Sequence, residues 1–171
     1  FYFDLDNKTN FTTYSVLCSP LIAANECLGV IHCLNKKTES KLFIEDDRQL
    51  LETLSSPAAM AIRNAKMAKE MVEQGELGKI RVIQVEYAQD WLTSKADNKQ
   101  ANWRTDPNQS GGGGCIGDIG THAYNLINFV TGIKAKSLSA ELSSFVEGRL
   151  VDDNAHVFLR YENGARGILW A

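Results

Sequence analysis

Apolar residues along this chain change spacing several times, and each change marks an element. Residues 15–22 and 27–34 are short apolar runs separated by the polar stretch 23–26, which predicts an antiparallel hairpin. Pro20 points to an edge or a bulge in the first of them. From 45 to 74 the spacing becomes three and four: Leu50, Leu51, Leu54, Ala58, Ala61, Ile62 and Ala65 recur on one stripe, which predicts a long helix. Asp46 and Asp47 lie in its first turn, where the helix dipole favours them. Pro57 interrupts the stripe, at a cost of roughly 3 kcal/mol unless the helix bends.

Beyond Gly75 and Gly78 the pattern returns to a strand over 79–91. A polar stretch, 93–110, reads as a long loop and leads into the glycine run Gly111 to Gly114. Residues 118–131 read as a helix with Gly132 as its C-cap, because Ala123, Leu126, Ile127 and Val130 share one side. Strands follow at 137–147, 153–161 and Arg166–Trp170, and Asn163-Gly164 between the last two favours a type I′ turn. Residues 1–14 read as a loop. The fold class is therefore α+β, with antiparallel sheets packed on a long central helix.

Composition narrows the function classes. A hydrophobic content of 44% and a charged content of 23% are those of an ordinary globular protein. A net charge of −3 gives no reason to expect nucleic acid or an anionic membrane as a partner. No apolar run approaches the roughly 20 residues of a membrane span. With no targeting segment visible, the expected location is the cytoplasm. Four cysteines are present, but none forms a Cys-x-x-Cys pair, so no metal site is expected. Cys18, Cys27 and Cys33 read as reduced core residues, with Cys27 and Cys33 on the same face of their strand. Cys115, in the glycine loop, is expected to meet solvent or ligand.

The chemistry concentrates at Asp118-Ile119-Gly120-Thr121-His122, just after the glycines. A carboxylate and an imidazole four apart share one side of a helix, and an imidazole titrates near neutral pH. This is a candidate proton-transfer pair. Gly112, Gly114 and Gly117 also satisfy the spacing Gly-x-Gly-x-x-Gly. A dinucleotide fingerprint must follow a buried strand, however, and here Thr105 to Ser110 is polar.

Two families are resembled, each over part of the chain. The strand Ser15 to Leu21, then Leu28-Gly29-Val30-Ile31, Asn35-Lys36, Phe43, Asp47 and the helix ending Ala61-Ile62-Arg63-Asn64-Ala65 resemble the C-terminal half of a GAF domain. Asn35, Lys36, Phe43 and Asp47 match the signature seen in cyclic-nucleotide phosphodiesterases, and Arg48 stands where that signature has Glu. These four residues read either as part of a ligand site or as a clamp between hairpin and helix.

The second resemblance is more specific. Gly75-Glu76-Leu77-Gly78-Lys79-Ile80-Arg81, Glu86-Tyr87-Ala88-Gln89-Asp90-Trp91-Leu92, Trp103-Arg104, the glycines, and Gly117 to His122 resemble the C-terminal domain of the glucose–fructose oxidoreductase and inositol dehydrogenase family. That resemblance implies an NAD or NADP cofactor and a sugar or polyol substrate. It implies catalytic roles for Asp118 and His122: the imidazole takes a hydroxyl proton as hydride leaves the same carbon for the nicotinamide. By the same analogy Trp103, Arg104 and Asn125 border the substrate. The family's dinucleotide-binding half and its lysine have no counterpart here.

The chain thus reads as a join of two partial domains, 1–68 and 69–171, meeting in the long helix. The expectation is an oxidoreductase substrate-domain fragment without turnover by itself. The alternatives are a GAF-like sensing or dimerisation module, or a structural chimera without activity. Unpaired strand edges would favour a homo-oligomer.

Overall fold

The computed structural model describes residues 11–171; most of the 1–14 stretch read as a loop lies outside the described residues. The chain divides into two compact units, Phe1–Met67 and Ala68–Ala171.

In the first unit, β1 (Val16–Ala23) pairs antiparallel with β2 (Glu26–Leu34). Their two-residue turn puts both Ala24 (φ 49°) and Asn25 (φ 66°) in the left-handed region, the signature of a type I′ turn. The register shifts by one residue between Leu21, which faces Gly29, and Ile22, which faces Cys27. That bulge reverses the side-chain alternation of β2. Cys27 is therefore exposed opposite Ile22, while the half-buried Cys33 lies opposite Leu17, so the two do not share a face. Cys18 is exposed as well, so of the three cysteines expected in the core only Cys33 is turned inward.

The helix α1 (Glu45–Glu73) runs through Pro57 without a break. It packs Ala59, completely buried, and Ala58 against Leu21, Ala23, Leu28 and Ile31 of the hairpin. The small side chains let the helix approach the strands closely. Ser55 and Ser19, both buried, satisfy each other across this contact through a 2.8 Å hydrogen bond.

The second unit is built on a four-stranded sheet in the order β3 (Val82–Glu86), β6 (Arg166–Trp170), β5 (Asn154–Tyr161), β4 (Ala135–Ser143). The last three are antiparallel neighbours, as the alternation requires. β3 departs from the expected pattern, because it pairs with β6 in parallel. Along β5 the inward residues are Ala155, Val157, Leu159 and Tyr161, all buried, and β6 contributes Leu169. This face is covered by α4 (Thr121–Thr131), which sinks Ala123 and Ile127 into the same core. Gly132 ends α4 in the left-handed conformation, with its N–H bonded to the Asn128 carbonyl.

Three local readings change. The stretch 93–110 is not one loop: it contains α2 (Lys99–Thr105) and α3 (Pro107–Ser110). The Asn98 side chain caps α2 by accepting from the Gln100 and Ala101 N–H groups, and Asp106 caps α3. The predicted helix at 118 begins instead as a π-helical turn, Ile116–Gly120, closed by the Thr121 N–H on the Ile116 carbonyl. In the 162–165 turn only Gly164 has positive φ, so the hairpin is not type I′. The Gly164 N–H bonds the Tyr161 carbonyl and Asn163 Oδ1 accepts from the Ala165 N–H.

Candidate active site

The glycine loop delivers residues 116–120 to the edge of a cavity of about 910 Å³, bordered by Asp90, Trp91, Arg104, Asp118, Phe145 and Trp170 among others. Asp118 leads the site. Its Oδ2 accepts a 2.9 Å hydrogen bond from Arg104 Nε, with both side chains partly exposed. The Arg104 guanidinium lies 4.2 Å from the centre of the Trp103 ring and 5.6 Å from that of Trp91. It is further held by Gln100, whose Oε1 accepts from Nη1 at 2.6 Å. Two aromatic faces and a carboxylate thus fix one guanidinium, and the guanidinium fixes the acid.

The sequence-selected residues are not all gathered here. Asp118 and Arg104 border the cavity; Trp103, His122 and Asn125 do not. His122 and Asn125 are exposed on α4, and no hydrogen bond joins Asp118 to His122 among the described residues. Trp103 serves as the platform beneath Arg104. Among the described residues, no cluster of three metal-ligating side chains is present.

Sequence reading missed the far wall. Arg149 and Asp153 form an almost buried ion pair, and Asp153 also accepts from the Phe145 and Val146 N–H groups at 2.8 and 2.9 Å. Asn154 accepts from Trp170 Nε1 at 2.9 Å, and His156 stacks on the same indole. The one signal available was the Asp152-Asp153 pair, whose two carboxylates are unusual at the head of an apolar strand.

Cys115 is half-buried rather than open to solvent. Its thiol donates to Asp152 Oδ2 at 3.1 Å. Burial first, and then the Asp152 carboxylate, push it from an ordinary 9.0 up to about 12. The thiol is therefore protonated at neutral pH. Because the shift is upward, its contribution to stability is complete below the ordinary value and is lost as pH rises toward 12. Iodoacetamide at pH 8 is expected to label the exposed Cys18 and Cys27 at least ~100-fold faster than Cys115, read by peptide mass mapping against time.

The glycine loop does not fit a dinucleotide. It follows the short helix α3 rather than a strand. Its Gly114 and Ile116 N–H groups already bond the Asp152 carboxylate, which would repel a pyrophosphate.

In the first unit, the four GAF-signature positions surround the exit from the hairpin. Asn35 takes φ 57°, accepts from the Tyr14 N–H at 2.9 Å and donates to the Thr12 carbonyl at 2.7 Å. Lys36 pairs with Asp47, which also accepts from the Ile44 N–H. The Lys36 ammonium first, and then that N–H, hold the Asp47 carboxyl below the usual carboxylate range. Phe43 is half-buried between these positions in the chain. The ion pair ties the end of β2 to the start of α1.

The mixed sheet, its single covering helix and the acid presented to a cavity define the second unit as an α+β domain organised around one carboxylate. The chain belongs to the GFO/IDH/MocA family: the model of that family's C-terminal domain matches residues 65–171. A GAF domain model matches residues 2–64. An uncharacterized oxidoreductase of Bacillus subtilis, YfiI, is 36% identical over 107 residues, covering 60% of this chain and 27% of that protein. An inositol dehydrogenase homologue from Azotobacter vinelandii, solved with NADH and myo-inositol, is 31% identical with a TM-score of 0.55, over 62% of this chain and 27% of that one. On the GAF side, a dual cyclic-AMP and cyclic-GMP phosphodiesterase of Takifugu rubripes is 34% identical over 65 residues, covering 37% of this chain and 7% of that protein. The chain thus spans little more than a quarter of the length of its oxidoreductase relatives. Among the described residues no helix is long and apolar enough to cross a membrane.

Proposed function

We propose that residues 69–171 are the substrate-handling half of a nicotinamide-dependent sugar or polyol oxidoreductase, and that 1–68 are a GAF-like segment acting as scaffold. The observation that carries this reading is Asp118, held by Arg104 at the edge of a cavity, in a domain of the GFO/IDH/MocA family. What this half contributes is proton handling. His122 accepts the proton of a substrate hydroxyl on a ring nitrogen. Asp118, whose Oδ1 carries no protein hydrogen bond among the described residues, stabilises the imidazolium. Arg104 borders the ring hydroxyls from the cavity wall with Trp103 as its backing; Asn125, outside the cavity lining, is assigned to the substrate by the family resemblance alone. NAD or NADP is the cofactor of the reading, and the glycine loop, whose N–H groups already bond the Asp152 carboxylate, is closed to it.

In the first unit, the Lys36–Asp47 pair and the bonds of Asn35 favour the clamp over a ligand site. Four free cysteines suit a reducing cytoplasm. The test of the enzymatic reading is a transplant. Residues 65–171 replace the matching domain of the inositol dehydrogenase homologue, and NADH production from a panel of cyclitols and sugars is followed.

A further inference from the structure

We infer that Asp152 is a positioning residue for Asp118, an inference that rests on the proton-transfer reading of the site. Asp152 is 8% exposed and lies two residues before the start of β5. Its Oδ1 accepts from the Gly114 N–H at 2.7 Å; its Oδ2 accepts from the Ile116 N–H at 2.8 Å and from the Cys115 thiol. Its backbone carbonyl accepts from the Cys115 N–H at 2.9 Å. One residue thus binds three consecutive positions of the glycine loop.

The hold continues to the acid. The Gly114 carbonyl accepts from the Asp118 N–H at 3.0 Å, and the Ile116 carbonyl accepts from the Thr121 N–H. Asp118 is one backbone hydrogen bond removed from a residue that Asp152 grips directly. Asp152 is itself anchored: the next residue bonds Ser143 of β4, and Ala155 exchanges two bonds with Ala171. The rigidity of the sheet therefore reaches the loop through one carboxylate. Successive N–H groups make an anion-binding concavity, and a carboxylate can accept all its donors at once. An amide cannot, because one of its two polar atoms is itself a donor.

The test is NMR of the full chain labelled with ¹⁵N, comparing Asp152→Asn with Asp153→Asn. Asp153 is the matched control, since it bonds Phe145, Val146 and Arg149 and not the glycine loop. The reporter is the Arg104 Nε–H, bonded to Asp118. In Asp152→Asn its exchange with solvent is expected to quicken at least ~10-fold and its resonance to move to the free-guanidinium position. The Leu159 and Leu169 amides keep their protection, and Asp153→Asn leaves the reporter unmoved. An unmoved Arg104 signal in Asp152→Asn, with altered Gly114 and Ile116 amides, would overturn the inference: Asp152 would brace the loop and nothing more. Should Asp152→Asn not fold, Cys115→Ala removes one of the carboxylate's donors. The Arg104 signal is then expected to move in the same direction by less, and its standing still would equally overturn the inference. Because no cofactor or turnover enters this measurement, an inactive transplant with a mobile Arg104 would sink the proton-transfer reading and leave the positioning of Asp118 standing.

Discussion

Gly114→Ala is expected to destabilise the Ala68–Ala171 unit by more than ~3 kcal/mol, lowering its Tm by more than about 12 °C on the scaling for a domain of this size. A Cβ there would sit 1.9 Å from the Asp152 carbonyl oxygen and 2.9 Å from both the carbonyl carbon and Val151 Cγ2. The obstacle is backbone, which cannot rotate away as a flexible side chain would. Relief requires moving the loop off residue 152, which breaks the Cys115 N–H bond to that carbonyl and the Gly114 N–H bond to the carboxylate. Each buried group left unpaired costs about 1–3 kcal/mol. Gly112→Ala is the matched control, because its added Cβ meets nothing within 4 Å. It is expected to change stability by no more than ~0.5 kcal/mol. Thermal melts followed by circular dichroism compare the two. Equal melting temperatures would show that the loop yields freely.

The second large effect concerns Asp118 and His122 in the transplanted domain. His122→Ala and Asp118→Asn are each expected to lower kcat by about 10²–10⁴-fold, the usual range for a general acid–base group. The two effects should not multiply, because a base and the residue that stabilises its charged form act as a unit. Arg104→Ala acts one step further away, by releasing Asp118 from the 2.9 Å bond and emptying the space beside Trp103. Its expected loss is smaller and falls on KM as well as kcat, because Arg104 lines the cavity. Steady-state kinetics with the best substrate of the panel decide this. A His122→Ala domain that turned over normally would remove the imidazole from the chemistry.

What the sequence made legible was local. The inward row Ala155, Val157, Leu159 and Tyr161 follows from alternation, because one buried face imposes a period of two. The span of α1 follows from its apolar stripe and acidic first turn. The motif around Asp118 is continuous in the chain, so its importance could be seen before its geometry. What escaped was decided by partners far away or by capping. α2 and α3 have almost no buried face, with Ala101 their single buried residue, and they rest on Asn98 and Asp106 side chains that accept N–H bonds. Such helices leave no periodicity to read. The parallel pairing of β3 with β6 joins residues more than 80 apart, as between Val82 and Arg166. A one-residue bulge near Leu28 turned Cys27 outward, which no alternation count anticipates. Asp152 lies 38 residues from Gly114, so no local motif links the carboxylate to the loop it holds.

The central claim is that a sugar or polyol meets this chain beside Asp118. The most direct measurement is a titration of the full ¹⁵N-labelled chain with myo-inositol, followed by chemical-shift mapping. Affinity is expected on the order of millimolar, about −4 kcal/mol, for a substrate half without its cofactor. The account predicts saturable shifts centred on the Arg104 Nε–H, the Trp91 indole, the amides of Gly114 to Gly120 and the His122 ring. Saturable shifts centred elsewhere, or none at the solubility limit of the cyclitol and of each sugar in the panel, would contradict it.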